Sequence, residues 1–271
     1  MVPTKERTRS HPEAMSALLE IDNVTKRFGG LCAVSHCNVS VQAGHTHGII
    51  GPNGAGKTTL FNLITGIYKP TEGCIRLRGE EISGFRPGRI ALMGIGRTFQ
   101  NIRLLKSQTV LANVRIAHDS QLHYHPLEAL LHLPRLRRDE RRSINESLEL
   151  LEPFGLAGHA NDLASELPYG SQRKLEIARA LALKPALLLL DEPAAGMNTG
   201  ETAELTEFLR WVRDHFDVTL VLIEHHMHLV MNLSDRITVL DFGQTIAEGT
   251  PEEIRANPRV IEAYLGGSEE D

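Results

Sequence analysis

A glycine-rich segment followed by lysine and threonine constrains this chain more than any other feature of its sequence. Residues 51–58 read Gly-Pro-Asn-Gly-Ala-Gly-Lys-Thr, which matches the phosphate-loop pattern GxxxxGK[ST] between a strand pattern and a helical one. The glycines let successive backbone N–H groups point at phosphate oxygens, while Lys57 would contact the β and γ phosphates and Thr58 would ligate Mg²⁺. The segment therefore predicts an ATP or GTP site, with a helix over residues 57–67 aiming its positive end at the phosphates. The residues expected to bind the nucleotide are Gly51, Asn53, Gly54, Ala55, Gly56, Lys57, Thr58 and Thr59.

Composition excludes several classes of protein. The chain has 271 residues, 41% hydrophobic and 23% charged, which is typical of a soluble globular protein with a substantial core. A formal net charge of -5 provides no basic field that would attract nucleic acid or anionic lipid. The three cysteines lack C-x-x-C spacing, so we expect free thiols in a reducing cytosol rather than a metal site.

The hydropathy pattern predicts no membrane anchor. No apolar run approaches the roughly 18–20 residues that cross a bilayer, and the N-terminal segment lacks the apolar core of a signal peptide. Residues 1–16 are polar and basic and contain proline, a composition that predicts disorder. Any membrane role would therefore act through a partner.

Strands alternate with helices along most of the chain, which predicts a parallel, doubly wound α/β sheet with its ligand at the carboxyl ends of the strands. The predicted strands cover residues 18–24, 39–41, 45–50, 73–77, 95–99, 187–191, 219–223 and 236–240, and helices of this core cover 171–183 and 201–215. The stretch 101–163 instead carries helical repeats, at 110–117 and 144–154, and predicts an all-helical insertion. Its charge-rich run at 135–142 has mixed signs and four-residue spacings, which favour a solvated helical face over a nucleic-acid patch.

A second phosphate-site signal is an apolar strand that ends in two acidic residues, Ala-Leu-Leu-Leu-Leu-Asp-Glu-Pro at residues 186–193. A buried carboxylate at a strand end is favourable beside a dication, so Asp191 would hold Mg²⁺ through water. Glu192 would polarise the water that attacks the γ-phosphate. A capping acid at a strand-to-turn junction is the alternative, and the phosphate loop upstream favours the nucleotide site.

With these two motifs the sequence resembles the ATP-binding subunits of ABC transporters over residues 18–266. Four further segments stand in that family's order: GRTFQ at 96–100, LPYGSQ at 167–172, AGMN at 195–198 and LIEH at 222–225. The resemblance implies a P-loop NTPase core of RecA-like fold, with an ABC β-subdomain and an inserted all-helical subdomain.

The resemblance also implies roles for individual residues. Gln100 would contact the Mg²⁺ site and sense the membrane subunit, His225 would be the switch histidine, and Phe28 would stack on adenine. Asn198 would lie in the D-loop, next to the other subunit. The signature motif, which caps the γ-phosphate of a partner subunit, would comprise Leu167, Tyr169, Gly170, Ser171 and Gln172.

The chain departs from the family pattern at two motifs. In the signature, Pro168 replaces the usual Ser and Ser171 replaces a frequent Gln. We therefore expect the phosphate contact to rest on the Gly170 N–H, with Ser171 as a further candidate, and to be weaker than usual. In the D-loop, Asn198 stands where the family more often has Asp. Because Asn carries no charge, a hydrogen-bonding role is favoured over a charge-based one.

The imidazoles at positions 225, 226 and 228 also suit a transition metal. The strand before them and Glu224 favour the phosphate-sensing role for His225.

Three longer stretches, at 97–104, 175–181 and 248–254 with 260–266, narrow the resemblance to the LivG-type ATPases of branched-chain amino-acid importers. ATPases of urea or lipopolysaccharide systems share much of the tail. The resemblance implies a second ATPase subunit, identical or related, that closes head to tail on ATP. It further implies two permease subunits, indirectly a solute-binding protein, and a peripheral location at the cytoplasmic face of the inner membrane.

Two functions of other classes remain as alternatives. A soluble ABC ATPase would carry two cassettes or long coiled coils, whereas this chain has one phosphate loop and no sustained heptads. A regulatory module without hydrolysis is disfavoured by Glu192 and His225. We expect one ATPase domain over 17–271, with an α/β core at about 17–100 and 164–250, a helical subdomain at 101–163 and a helical tail at 251–271.

Overall fold

The computed structural model describes residues 17–120 and 134–265, and these form two β-sheets flanked by helices. The strands are β1 (Ala17–Phe28), β2 (Leu31–Gln42), β3 (Thr46–Ile50), β4 (Glu72–Leu77), β5 (Glu80–Glu81), β6 (Ile95–Arg97), β7 (Leu187–Asp191), β8 (Thr219–Ile223), β9 (Arg236–Asp241) and β10 (Gln244–Gly249). The α-helices are α1 (Lys57–Ile64), α2 (Pro87–Leu92), α3 (Val110–Asp119), α4 (Pro134–Leu151), α5 (Tyr169–Leu181), α6 (Thr199–Phe216), α7 (Met227–Leu233), α8 (Pro251–Arg255) and α9 (Pro258–Leu265). The segment 1–16, for which the sequence predicts disorder, and residues 266–271 of the predicted helical tail lie outside the described residues.

The larger sheet carries the order β10-β9-β3-β8-β7-β6, and only the pair β9–β10 is antiparallel. Strands β3, β7 and β8 are buried at every residue, as expected where helices or a second sheet cover both faces. The parallel α/β sheet predicted from the alternating pattern is therefore confirmed. Its strand order places β8 between β3 and β7, so the carboxyl ends of these three strands are neighbours.

Two hydrophobic cores lie on opposite faces of the larger sheet. Alternate residues of β8 divide between them, with Leu220 and Leu222 in one core and Val221 and Ile223 in the other. The first core packs the sheet against α5, α6 and α7, and the second packs it against α1 and the smaller sheet. None of the described helices combines the length and the hydropathy required to span a bilayer.

The smaller sheet is antiparallel in the order β2-β1-β4-β5, and its long hairpin was only partly predicted. The sequence pattern indicated strands at 18–24 and 39–41, whereas β1 and β2 each run for 12 residues. Register shifts interrupt the β1–β2 pairing at four places, so the alternation of apolar and polar residues is lost midway. The pattern therefore indicated only the regular halves of the two strands.

Two α-helices, α3 and α4, lie in the described part of the region between β6 and α5, where the sequence predicts an all-helical insertion. Helix α3 begins at the expected residue 110 and ends at Asp119, two residues beyond the expected end, while α4 begins ten residues before the predicted 144 and includes the whole charge-rich run at 135–142. The two helices are joined by Glu146 on α4, which accepts a hydrogen bond from His118 Nε2 on α3 at 2.9 Å. That bond, with a second from Arg142, lowers the pKa of Glu146 to about 2. The charged run thus serves as a partly paired helical face.

Candidate nucleotide-binding site

Three of the predicted motifs meet at the carboxyl ends of adjacent strands. The phosphate loop follows β3, Asp191 is the last residue of β7 with Glu192 directly after it, and His225 lies two residues beyond β8. Since β8 pairs with both β3 and β7, the topology alone brings these motifs to one edge of the sheet.

Two glycines of the phosphate loop are required by close backbone contacts. Gly51 has φ +152, and a Cβ there would lie 2.1 Å from the Leu240 carbonyl oxygen. Gly56 has φ +96, and its Cβ would lie 2.4 Å from the Ala33 carbonyl oxygen. Any side chain at either position would force the backbone apart, so the loop conformation depends on both glycines.

Lys57 lies folded over its own loop. Its ammonium donates hydrogen bonds to the Gly51 and Pro52 carbonyl oxygens, at 2.7 and 2.9 Å. Burial lowers the pKa of Lys57, and the nearby charge of Glu192 opposes that shift. Thr58 is exposed at the start of α1, so its hydroxyl is accessible from the loop side. Helix α1 ends at Ile64 rather than at the predicted residue 67.

Lys57→Met is expected to weaken ATP binding by about 10–10²-fold, the scale of a hydrogen-bonded charge contact. The same change should not lower the thermal stability of the nucleotide-free protein. Because burial lowers the pKa of Lys57 in the folded state, the protonated ammonium opposes folding at pH values below the ordinary pKa of lysine, and this penalty disappears as the pH rises to that ordinary value. Titration calorimetry and thermal melts test both statements. Lys106→Met, on an exposed loop residue, is the matched control, and unchanged ATP affinity in Lys57→Met would contradict the assignment.

The structure places three predicted catalytic side chains together. Glu192 Oε2 accepts a hydrogen bond from Gln100 Nε2 at 2.7 Å and lies 3.8 Å from His225 Nδ1. The Glu192 backbone has φ +43, in the left-handed region that side chains other than glycine seldom adopt. Its N–H donates to the Ile223 carbonyl oxygen at 2.9 Å, which ties this strained residue to β8.

Asp191 has a partner that the sequence analysis did not identify. Arg97, the last residue of β6, donates from Nη2 to Asp191 Oδ2 at 2.8 Å, and both side chains are only 8% exposed. Arg97 Nη1 also donates to Asn62 and Thr65 at the far end of α1, at 2.8 and 3.1 Å. The sequence signal was an arginine in an otherwise apolar strand beside β7. Arg97 thus connects the acidic strand end with the helix of the phosphate loop.

Glu224, the fully buried residue before His225, has hydrogen-bond partners that the sequence analysis did not identify. Its Oε1 accepts the Ala194 N–H at 2.8 Å, and its Oε2 accepts the N–H groups of His225 and His226 at 3.0 and 3.2 Å. The carboxylate therefore holds the turn after Glu192 and the turn after β8 in one arrangement.

The side chains predicted to hold Mg²⁺ fit a hard dication by their chemistry. Thr58, Gln100 and Asp191 all offer oxygen donors, which Mg²⁺ prefers. Arg97 binds Asp191 through Oδ2, so Oδ1 is not used in that contact. Gln100 lies against Glu192 through its amide nitrogen, so its carbonyl oxygen is not used in that contact.

The signature segment lies at the start of α5, which begins at Tyr169 and not at Ser171 as predicted. Pro168 is the N-cap residue and supplies no side-chain cap, while its carbonyl oxygen accepts the Gln172 N–H at 2.9 Å. The helix N-terminus lines a cavity of about 510 Å³, together with Gly196, Met197 and Glu201. No phosphate-loop residue lines that cavity. Gly170 borders open space, because no atom lies within 4 Å of the position that a Cβ would occupy there.

Helix α5 is also fastened to the segment that carries Gln100. Arg173 donates to the Phe99 and Gln100 carbonyl oxygens, at 2.9 and 3.1 Å, and pairs with Glu176 at 2.9 Å within the buried interior. Glu176 Oε1 in turn accepts the Arg103 N–H at 3.1 Å. A movement of the Gln100 segment would therefore be transmitted directly to the signature helix.

The remaining predicted residues lie at the edges of the site. Asn198 is the N-cap of α6: its side chain accepts the Glu201 N–H at 3.0 Å, and the Glu201 carboxylate accepts the Asn198 N–H at 2.9 Å. This reciprocal cap is a hydrogen-bonding role that needs no charge on Asn198. Phe28 is 41% exposed at the β1–β2 turn, edge-on to Tyr68 with ring centroids 5.1 Å apart.

Comparison with known proteins adds an independent line of information. A family profile described as "ABC transporter" matches residues 34–195, and one described as "Branched-chain amino acid ATP-binding cassette transporter" matches residues 244–270. The high-affinity branched-chain amino acid transport ATP-binding protein LivG of Escherichia coli K12 is 48% identical over 249 residues, 92% of this chain and 98% of that protein. BraF of Pseudomonas aeruginosa gives the same figures. The crystal structure of the ADP conformation of MJ1267, an ATP-binding cassette of an ABC transporter, aligns with TM-score 0.78 and 31% identity, covering 92% of this chain and 99% of that one.

Proposed function

Since the chain belongs to the ABC transporter family, as an ATP-hydrolysing subunit of the LivG type, we propose that it powers the uptake of branched-chain amino acids. The ATPase activity follows from the family, and the convergence of the phosphate loop, Glu192 and His225 at three adjacent strand ends supports it. The choice of solute is supported by similarity to LivG and BraF along nearly their whole length.

The geometry suggests how hydrolysis proceeds. Lys57 and the loop amides bind the β and γ phosphates of ATP, and Phe28 stacks on the adenine. Glu192 accepts a proton from the water that attacks the γ-phosphate, while His225 and Gln100, both within reach of Glu192, orient the reacting groups. Thr58, Gln100 and Asp191 would hold Mg²⁺, which would supply positive charge to offset that of the phosphates.

A second ATPase subunit completes the site. The signature cavity contains no phosphate-loop residue, so the Gly170 region of one subunit would cap the γ-phosphate held by the other. A γ-phosphate that bridges two subunits favours their closed state, and hydrolysis removes that preference. Two permease subunits then receive the movement through the Gln100 segment and the helical region, with the ATPase at the cytoplasmic face of the membrane.

Uptake of labelled leucine, isoleucine and valine tests the solute assignment. In the source organism, deletion of the gene should abolish high-affinity uptake, a plasmid with the wild-type gene should restore it, and Glu192→Gln should not. Urea uptake, measured in the same strains, is the control. Loss of urea uptake with normal leucine uptake would assign the chain to a different transporter of the same family.

A further inference from the structure

Two neighbouring imidazoles and a buried carboxylate form a compact cluster beside the hydrolytic centre. His226 Nδ1 lies 3.4 Å from Glu224 Oε2, and His225 Nδ1 lies 4.0 Å from the same oxygen. The three candidate ligand atoms lie within 4.8 Å of one another. The two rings are side by side, with centroids 4.4 Å apart and planes tilted by 38°. His228, the third histidine of this segment, is exposed and is not part of the cluster.

One ligand atom of this cluster, His226 Nδ1, has no hydrogen-bond partner in the part of the chain that the structure describes, whereas both oxygens of Glu224 accept backbone N–H groups. His226 Nδ1 is buried and makes no hydrogen bond within the described residues, although its ring is near a carboxylate. A buried polar atom without a partner lowers stability unless something binds to it. The hydrogen bonds from the amides of His225 and His226 hold Glu224 in place, so the cluster is held together by its own backbone.

The donor set is typical of late first-row transition metals. Zinc bonds of about 2.0–2.2 Å to nitrogen and oxygen place two tetrahedral ligands about 3.3 Å apart. The two Nδ1–Oε2 separations are 3.4 and 4.0 Å and all three ligand atoms lie within 4.8 Å of one another, so rotations of the two imidazole side chains would have to bring the ligands to the metal. Glu192 Oε2, 3.8 Å from His225 Nδ1, is close enough to become a fourth ligand. Imidazole nitrogen suits Zn²⁺ and not Mg²⁺, which prefers all-oxygen octahedral sites, so the magnesium used with ATP would not compete.

The geometry points to a site for a Zn²⁺-class divalent cation at Glu224, His225 and His226, whose occupation inhibits ATP hydrolysis. Binding would take His225 away from the γ-phosphate and draw Glu192 away from the attacking water. The inhibition rests on the proposed function of His225 and Glu192 in ATP hydrolysis, whereas metal binding does not depend on that function. The site therefore links the ATPase rate to the concentration of free transition metal.

Zinc binding is measured on purified protein without a polyhistidine tag, by competition with a chromophoric zinc chelator in excess Mg²⁺. Wild type should bind one equivalent of zinc. His226→Asn should lose this binding or show a zinc affinity lower by at least about 10-fold, because the loss of even an outer-shell partner of a metal ligand has an effect on that scale. Asn is favourable at the N-cap position that residue 226 occupies before α7, so the variant should fold. His228→Asn is the matched control and should bind zinc as wild type does. Equal affinity in His226→Asn and wild type, or no binding to wild type, would overturn the site.

ATPase assays with added Zn²⁺ test the inhibitory role separately. Zinc should inhibit wild type and His228→Asn at concentrations that leave His226→Asn active. If zinc binds at this site and the ATPase rate stays unchanged, the inhibitory role is wrong and the binding site remains. If the protein binds zinc but never hydrolyses ATP, the proposed function fails and the metal site does not.

Discussion

Replacing Glu192 by Gln is expected to lower the rate of ATP hydrolysis by at least about 10²-fold while ATP still binds. The amide cannot accept the proton of the attacking water, which removes the general base. The amide oxygen of the variant can still accept the hydrogen bond from Gln100 Nε2, which in the wild type lies 2.7 Å from the Glu192 carboxylate. Steady-state phosphate release measures the rate, and titration calorimetry measures the affinity for ATP.

Glu149→Gln is the matched control for that experiment, because it makes the same chemical change on an exposed residue of α4. It should hydrolyse ATP at the wild-type rate. A near-normal rate in Glu192→Gln would remove Glu192 from its role, and a loss of ATP binding would show that the carboxylate supports the phosphate loop as well. The inactive variant should also hold two subunits closed with ATP, which analytical ultracentrifugation can detect.

The phosphate loop and the acidic strand end could be predicted because their chemistry is local in sequence. The turn that requires Gly51 and Gly56 and the cation at Lys57 fall within one short segment. The proximity of Glu192, His225 and Gln100 rested on the family resemblance and on parallel strands ending at one edge, and the structure brings them together. The D-loop role of Asn198 stays a prediction, and its reciprocal cap with Glu201 became visible only in the structure.

The residues that sequence reasoning missed are those whose partners lie on other strands or helices. Arg97 binds Asp191 only because β6 pairs with β7. Arg173 binds the Gln100 carbonyl oxygen only because α5 packs against the segment that carries Gln100. Glu224 was noted as a neighbour of His225, but its bond to Ala194 spans 30 residues. No local pattern carries that information, since a buried charged residue in an apolar stretch shows only that some partner exists.

These buried groups share a structural role that bears on transport. Arg173 fixes the Gln100 segment to the signature helix, and Glu224 fixes the turn after Glu192 to the turn of His225. Each contact joins segments that the proposed mechanism moves or aligns when subunits close. Buried charge networks have defined geometry and strong penalties for partial loss, so they favour discrete arrangements over gradual deformation.

Arg97→Met is expected to lower the free energy of unfolding by about 3–5 kcal/mol, because it leaves the Asp191 carboxylate buried without its countercharge. The methionine keeps much of the side-chain volume between Phe61 and Phe99, so the loss reports mainly on charge. Urea denaturation measures the change. Arg76→Met, which removes an exposed partner of Asp22, is the control and should leave the free energy of unfolding close to that of the wild type.

A double-mutant cycle distinguishes lost charge pairing from lost packing in Arg97→Met. Asp191→Asn removes the carboxylate charge, so Arg97→Met should destabilise the Asp191→Asn protein much less than it destabilises wild type. Equal losses in the two backgrounds would show that Arg97 acts through its contacts with Asn62 and Thr65, not through Asp191. A strong coupling instead identifies Arg97 as the residue that positions the Asp191 carboxylate from the side of α1. In that case the acidic strand end and the phosphate-loop helix form one electrostatic unit, and nucleotide binding at the loop is connected to Asp191 through Arg97.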